Sequence, residues 1–429
     1  MSSETLSARA RAVMPGGVSH ELRYRDPYPV FIDRALGAEK WDVDGKRYID
    51  FKMGSASQML GHGHADVVAA LRNQAERAIF SADCHEMEIE WAEWVNRLFP
   101  SAQRTRFTAS GSEATMLAVR LGRAWSRKDR LLRVDGHYHG WHDHVLKGAR
   151  AGSDRSTSLG VPRAVSDLVD ICAADPQSME NALQDDRIGT VIIEASGANY
   201  GSVPLPTDRL QALHDVARSA GVVLIFDEII TGFRWSPGGR QARDGIVPDL
   251  TTLAKIVTGG LPGGAVCGRA DIMEMMNNAA SAEGLSPPVS HKGTFNGSPL
   301  IAAAARAAMP HLASGRPQQQ ADAMAKLLRV GLNALMGRHG ITGCAYGDSS
   351  TCHMLFGATD PMALTAAQIR SVPPALVAGL RGGLLSRGVD LMSQTSCVTS
   401  LAHTPQLIEE ALAAFDEVFA QLVRDGVLS

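Results

Sequence analysis

The chain has 429 residues, 42 lysines and arginines against 45 aspartates and glutamates, a formal charge of −3, 45% hydrophobic residues and only 5% aromatics. That length is too great for one small module, so a large domain with a smaller companion is expected, and the near-neutral balance leaves no global field to hold a nucleic acid or an anionic membrane. Apolar runs such as Gly221 to Phe226 fall far short of the roughly 20 residues that span a bilayer, and six scattered cysteines without a Cys-x-x-Cys pair read as reduced thiols of a cytoplasmic protein.

The N-terminus, Met1-Ser-Ser-Glu-Thr-Leu-Ser, is polar and lacks the layout of a secretory signal. Lys40 to Phe51 has a strand, an Asp-Gly turn and a second strand, the form of a β-hairpin, within an N-terminal segment (residues 1–60) expected to pack outside the main core. Residues 61–310 carry the unalternated runs Leu131 to Val134, Thr190 to Ile193, Val222 to Phe226 and Leu250 to Leu253, with turns and helical patterns after them. Strands of this kind are buried on both faces, which predicts an α/β domain with a mostly parallel sheet. The Ser/Pro/Gly-rich stretch Ala279 to Val289 reads as a mobile loop. Helical stretches Gln318 to Met336 and Pro405 to Val423 flank glycine-rich strands near Gly343 and Gly388, which predicts a small α+β domain over residues 311–429.

Six features lie at the ends of these strands, where ligands bind in open α/β sheets. In Phe107-Thr-Ala-Ser-Gly-Ser-Glu-Ala-Thr115 a strand breaks at Ser110, Gly111 and Ser112 and a helix begins at Glu113; this is an anion site suited to a phosphate, or a plain capped helix. His137-Tyr-His-Gly-Trp-His142 follows a strand and offers either metal ligands, at no familiar zinc spacing, or flat rings to stack on an aromatic ligand. Glu194-Ala-Ser-Gly-Ala-Asn-Tyr-Gly201 puts Glu194 and Asn199 just past a strand. Ile225-Phe-Asp-Glu-Ile229 ends a buried strand in Asp227 and Glu228, whose ionised forms need a partner, either a protonated ring nitrogen or an arginine such as Arg234. Lys255 ends another apolar strand before Gly259-Gly-Leu-Pro-Gly-Gly264; it is a nucleophilic amine if buried and an ordinary snorkelling lysine if not. Lys292-Gly-Thr-Phe-Asn-Gly-Ser-Pro299 offers the hydroxyl of Thr294.

In this order the features resemble the class III (ω-type) aminotransferases of fold type I, over nearly the whole chain from Met14-Pro-Gly-Gly-Val18 to Ser400-Leu-Ala-His-Thr404. Within that class the sequence looks most like the branch of glutamate-1-semialdehyde 2,1-aminomutase and the D-phenylglycine-type aminotransferases. The resemblance implies pyridoxal 5'-phosphate as cofactor, Lys255 as the Schiff-base lysine and proton shuttle, and Asp227 as the partner of the pyridinium nitrogen. It implies a phosphate loop of Ser110, Gly111 and Ser112, with Thr294 reaching the cofactor of the partner subunit in a homodimer. Tyr138 is implied to stack on one face of the ring and Ile229 to pack on the other, with Glu194 and Asn199 on the ring's hydroxyl side. Arg23, in Gly17-Val-Ser-His-Glu-Leu-Arg23, aligns with the arginine that holds a substrate carboxylate, which implies amino acid and 2-oxo acid substrates; Arg25 lies close enough to shift that alignment.

The sequence departs from the aminomutase in several places. The family's proline after the glutamate is Ala195, the aminomutase's Asn-Ser-Pro is Ser19-His20-Glu21, its acid-bearing Ser-Gln-Phe-Glu is Ser393-Gln-Thr-Ser-Cys397, and the loop from Lys147 to Val161 differs from its gating loop. These departures favour a transaminase over the aminomutase, and Tyr138-His-Gly-Trp-His-Asp143 and Gly260-Leu-Pro-Gly-Gly264 favour an aryl, D- or β-amino acid as donor; the aminomutase and a lyase on the same fold are the alternatives. No metal is expected; a hydrolase using His137, His139, His142 and His144 would leave Lys255 and Asp227 without a role.

Overall fold

The computed structural model describes residues 2–280 and 287–428. Most of the loop read between Ala279 and Val289 therefore lies outside the described residues. β1 (Ile32–Leu36), β2 (Glu39–Asp42) and β3 (Arg47–Phe51) form an antiparallel meander, and the hairpin of the sequence reading is its β2–β3 turn.

A seven-stranded sheet forms the centre of the molecule. It contains β4 (Arg104–Thr108), β5 (Arg130–Val134), β6 (Val169–Cys172), β7 (Ile188–Glu194), β8 (Val223–Asp227), β9 (Leu250–Ala254) and β10 (Gly264–Gly268), in the order β4-β10-β9-β8-β7-β5-β6. Only β10 runs against its neighbours. β7, β8 and β9 are buried along their whole length because helices cover both faces. Alternate side chains serve opposite faces. Ile192 and Ile225 pack with Leu117 and Leu121 of helix Gly111–Ser126, while Val191, Ile193, Leu224 and Phe226 pack with Leu210 and Leu213 of helix Thr207–Ser219.

The C-terminal part adds β11 (Gly343–Tyr346), β12 (Thr351–Phe356), β13 (Val389–Leu391) and β14 (Ser396–Val398). β11, β12 and β14 make a small antiparallel sheet. β13 instead joins the N-terminal meander, lying parallel to β3 with Asp390 beside Asp50. Ile49 and Phe51 are accordingly buried with Leu328, Leu380, Phe415 and Phe419, so the two ends of the chain share one core. Among the described residues no helix is long and apolar enough to cross a membrane.

Candidate active site

Three ionisable side chains meet at the C-terminal edge of the central sheet. Glu194 ends β7, Asp227 ends β8 and Lys255 follows β9, and Glu194 and Asp227 are register partners. Lys255 has φ +57°, in the left-handed region that a lysine seldom adopts. Its carbonyl is held there by the Thr258 hydroxyl at 2.7 Å and the Gly260 amide at 3.2 Å. Burial pulls its ammonium down to about 8, against the attraction of Asp227 and Glu194.

Asp227 is 5% exposed, and burial pushes its carboxyl up to about 7. Its Oδ1 accepts from the Ile229 amide at 3.1 Å and its Oδ2 meets His139 Nδ1 at 2.8 Å. That bond puts the proton of neutral His139 on Nδ1 and leaves Nε2 buried without a partner. Arg234 is not the partner of this strand end. Its guanidinium donates to Ser350 Oγ and to the carbonyls of Thr399 and Ala56, while Glu228 is held by Thr231, Gln241 and the Arg240 amide.

Glu194 accepts from the amides of Tyr138 (2.6 Å), Asn199 (3.0 Å) and Tyr200 (3.0 Å), so its carboxylate fixes two loops. Burial, then repulsion from Asp227, pushes its carboxyl up to about 7. The Asn199 side chain turns to Arg370, whose Nε lies 3.2 Å from its amide oxygen. Tyr138 is 52% exposed, so it presents a free ring above this buried group.

The helix that the sequence reading starts at Glu113 begins at Gly111, with Ser110 as its cap. Ser110 Oγ accepts from the Glu113 amide at 3.2 Å and is thereby used by the protein itself. The donors left for an anion are the first-turn amides and the Ser112 hydroxyl, whose oxygen accepts only a long bond from Trp141 N at 3.4 Å. Glycines let the loops close here. A Cβ on Gly111 would stand 2.9 Å from Ile229 Cδ1, and one on Gly140 (φ +102°) would stand 2.5 Å from Ser112 Oγ. Gly140→Ala is expected to destabilise the protein by about 1–3 kcal/mol through overpacking and backbone strain. A lowered thermal midpoint would register it.

The four neighbouring histidines each turn to a different partner. His137 Nδ1 accepts from the Glu194 amide, His139 serves Asp227, His142 Nε2 meets Thr115 Oγ1 at 3.2 Å and His144 Nδ1 meets Arg123 at 3.1 Å. Among the described residues the one group with metal-ligand spacing is His64, Asp66 and His311, none of them from this set. Arg23 is exposed and its guanidinium has no partner among the described residues, whereas Arg25 is bound to Asp390 at 2.6 Å. Within one chain Thr294 is exposed and apart from these residues; the next residue, Phe295, packs on Phe80, and the Gly297 carbonyl meets His85 Nε2 at 2.7 Å.

The family description "Aminotransferase class-III" matches residues 22–343. The chain belongs to the class III aminotransferases. It is 36% identical over 430 residues to a glutamate-1-semialdehyde 2,1-aminomutase of Methanothermobacter thermautotrophicus, covering 98% of this chain and 100% of that one. Its fold is similar to that of an omega-transaminase from Sphaerobacter thermophilus (TM-score 0.90, 30% identity, 98% and 97% of the two chains). It is also similar to a β-phenylalanine aminotransferase from Variovorax paradoxus (TM-score 0.87, 27% identity, 99% and 95%). The class III fold is the fold type I expected from the sequence, and the cofactor of the family is pyridoxal phosphate. The residues present fit that group: an amine of lowered pKa, a buried carboxylate and a helix N-terminus with spare donors share one sheet edge. The pairing of His139 with Asp227 is missed in the sequence, where His139 reads only as a metal ligand or a flat ring. The available signal is its position three residues past the turn at Asp135 and Gly136, beside the aromatic Tyr138.

Proposed function

We propose that this class III enzyme is a transaminase moving an amino group from an aryl, D- or β-amino acid to a 2-oxo acid, in a cytoplasmic homodimer. The observation that carries this reading is the segment Ser393 to Cys397. Where the aminomutase has an acid, Ser393 Oγ meets the Tyr200 hydroxyl at 3.1 Å, Ser396 Oγ meets His353 Nδ1 at 2.7 Å, and Cys397 is buried. The β-phenylalanine aminotransferase likeness supports an unusual donor. The aminomutase remains the second reading, favoured by the 36% identity to the Methanothermobacter protein.

Bound pyridoxal phosphate supplies an electron sink for the carbanion left when the substrate carbon loses its proton. Lys255 would carry the covalent attachment, and its free amine would accept and return the proton lost from the substrate carbon. Asp227, oriented by His139 and the Ile229 amide, would by its charge favour a proton on the ring nitrogen. Gly111, Ser112 and the Ser110-capped helix would hold the phosphate, with Thr294 contributing from the partner subunit. Tyr138 and Ile229 would confine the ring. Glu194 keeps the Tyr138 loop and Asn199 in place, and Arg23 takes the substrate carboxylate.

Capture of the cofactor by the apoenzyme needs the neutral amine of Lys255. The capture rate is therefore expected to rise about tenfold per pH unit up to about 8 and then level off. Stopped-flow absorbance after mixing apoenzyme and cofactor measures it; a rate flat from pH 6 to 9 contradicts the assignment. The reaction itself is tested with a panel of D-, β- and aryl-glycine donors and 2-oxoglutarate or pyruvate. Formation of the paired keto and amino products is expected. Activity confined to glutamate semialdehyde establishes the aminomutase instead, and ammonia release without amine transfer establishes a lyase.

A further inference from the structure

The first turn of helix Ala65–Arg77 and the last turn of helix Pro299–Ala313 meet over Val67, Ala308 and Leu312, which belong to one core cluster. Three side chains with metal-ligating atoms face one another there. His311 Nε2 meets Asp66 Oδ2 at 2.7 Å, and the His64 ring stands edge-on to His311 with ring centroids 4.7 Å apart. One nitrogen of each ring and one carboxylate oxygen all lie within 4.8 Å of one another.

An ion pair between the two helices accounts for Asp66 and His311 but leaves His64 without a role. His64 stands just before helix Ala65–Arg77, yet its side chain makes no capping bond. His20 and His85 hold the same position on their own helical turns, and each spends Nδ1 on an amide of the first turn, Leu22 and Glu88, at 3.1 Å. In His64 that nitrogen is shut off from solvent and has no hydrogen-bond partner among the described residues. A polar atom left in this way costs stability unless something completes it. Burial, then the neighbouring His311, holds the His64 ring below the usual histidine range, which keeps it in the neutral form that a metal needs.

We propose that His64, Asp66 and His311 form a binding site for one divalent first-row transition metal ion, with zinc as the best fit. Two imidazoles and one carboxylate suit zinc, cobalt or nickel, whereas magnesium and calcium call for a shell of oxygens. Metal–ligand bonds of about 2.0–2.2 Å draw the three ligand atoms to about 3–3.5 Å from one another. That adjustment falls on side chains with room to rotate, since Asp66 is 62% and His311 39% exposed, and the same exposure gives the ion its entry path and leaves its remaining positions to water. The metal replaces the hydrogen bond between His311 and Asp66 and ties the ends of the two helices together. The site does not depend on which amino acid or 2-oxo acid the enzyme uses.

Calorimetry tests the proposal on holoenzyme dialysed against a chelator, with zinc, cobalt and magnesium chlorides as probes. One zinc per chain is expected, bound at least about a hundredfold more tightly than magnesium. Bound cobalt is expected to show the visible bands of a four- or five-coordinate ion, and zinc to raise the thermal midpoint. His64→Gln and Asp66→Asn, made separately, are each expected to weaken zinc about tenfold or more, to remove the cobalt bands and to cancel the rise in midpoint. No zinc bound by the native enzyme, magnesium bound as tightly as zinc, or zinc affinity and cobalt bands unchanged in both variants would overturn the site.

Discussion

Lys255→Ala is expected to lower turnover by about a thousandfold or more and to remove the covalent hold on the cofactor, because no other amine of this sheet edge can take over both attachment and proton transfer. The variant should fold. Its backbone keeps the left-handed φ of +57°, which alanine adopts with strain similar to that of lysine. The lost side chain was also a liability in the empty protein, since its ammonium is depressed from 10.5 to about 8. The folded chain binds that proton less tightly than the unfolded one, so the penalty is present below pH 8 and fades as pH rises towards 10.5. The apo variant is therefore expected to be at least as stable as the apo native protein at pH 7. Full turnover in Lys255→Ala would contradict the assigned chemistry, and a lowered apo stability would assign the lysine a structural role.

Asp227→Asn is expected to reduce turnover by about a hundredfold to ten-thousandfold, the range for one charged group in a preorganised site. The substitution keeps the shape and one of the two hydrogen bonds, since the single amide oxygen can accept from His139 Nδ1 or from the Ile229 amide. The charge is lost, and with it the second acceptor. In the native apoenzyme burial raises this carboxyl to about 7, so the folded state binds more protons than the unfolded one between 3.8 and 7 and loses stability as pH rises through that window. Two outcomes follow. The affinity of native apoenzyme for cofactor should fall as pH drops below about 7, where the neutral acid no longer pairs with a ring cation, and it should lose that dependence in Asp227→Asn. Apo Asp227→Asn should be more stable than the native apoprotein above pH 7. Equilibrium titration of the cofactor and thermal melts at several pH values measure both.

The central sheet was readable because burial on both faces removes polar alternation, and the runs at Thr190, Val222 and Leu250 have none. Lys255 and Asp227 stood out as charges at the ends of such runs. Their setting did not. His139 and Asp227 are 88 positions apart, and only the strand order brings them together. Glu194 is read from the sequence as a contact on the ring's hydroxyl side, and nothing in a strand-end acid tells that it also accepts from three backbone amides. The histidine run invited a metal reading because proximity in sequence hides that each ring turns to a different partner. The joining of β3 to β13, which places Asp50 beside Asp390, is a pairing of three residues across more than 300 positions; nothing local encodes it.

The central claim is that this sheet edge binds pyridoxal phosphate through Lys255. Reduction of the holoenzyme with borohydride, followed by proteolysis and mass spectrometry of the peptides, tests it most directly. A phosphopyridoxyl group on the peptide containing Lys255, absent from Lys255→Ala, is the predicted result; the group on another lysine, or on none, would contradict it.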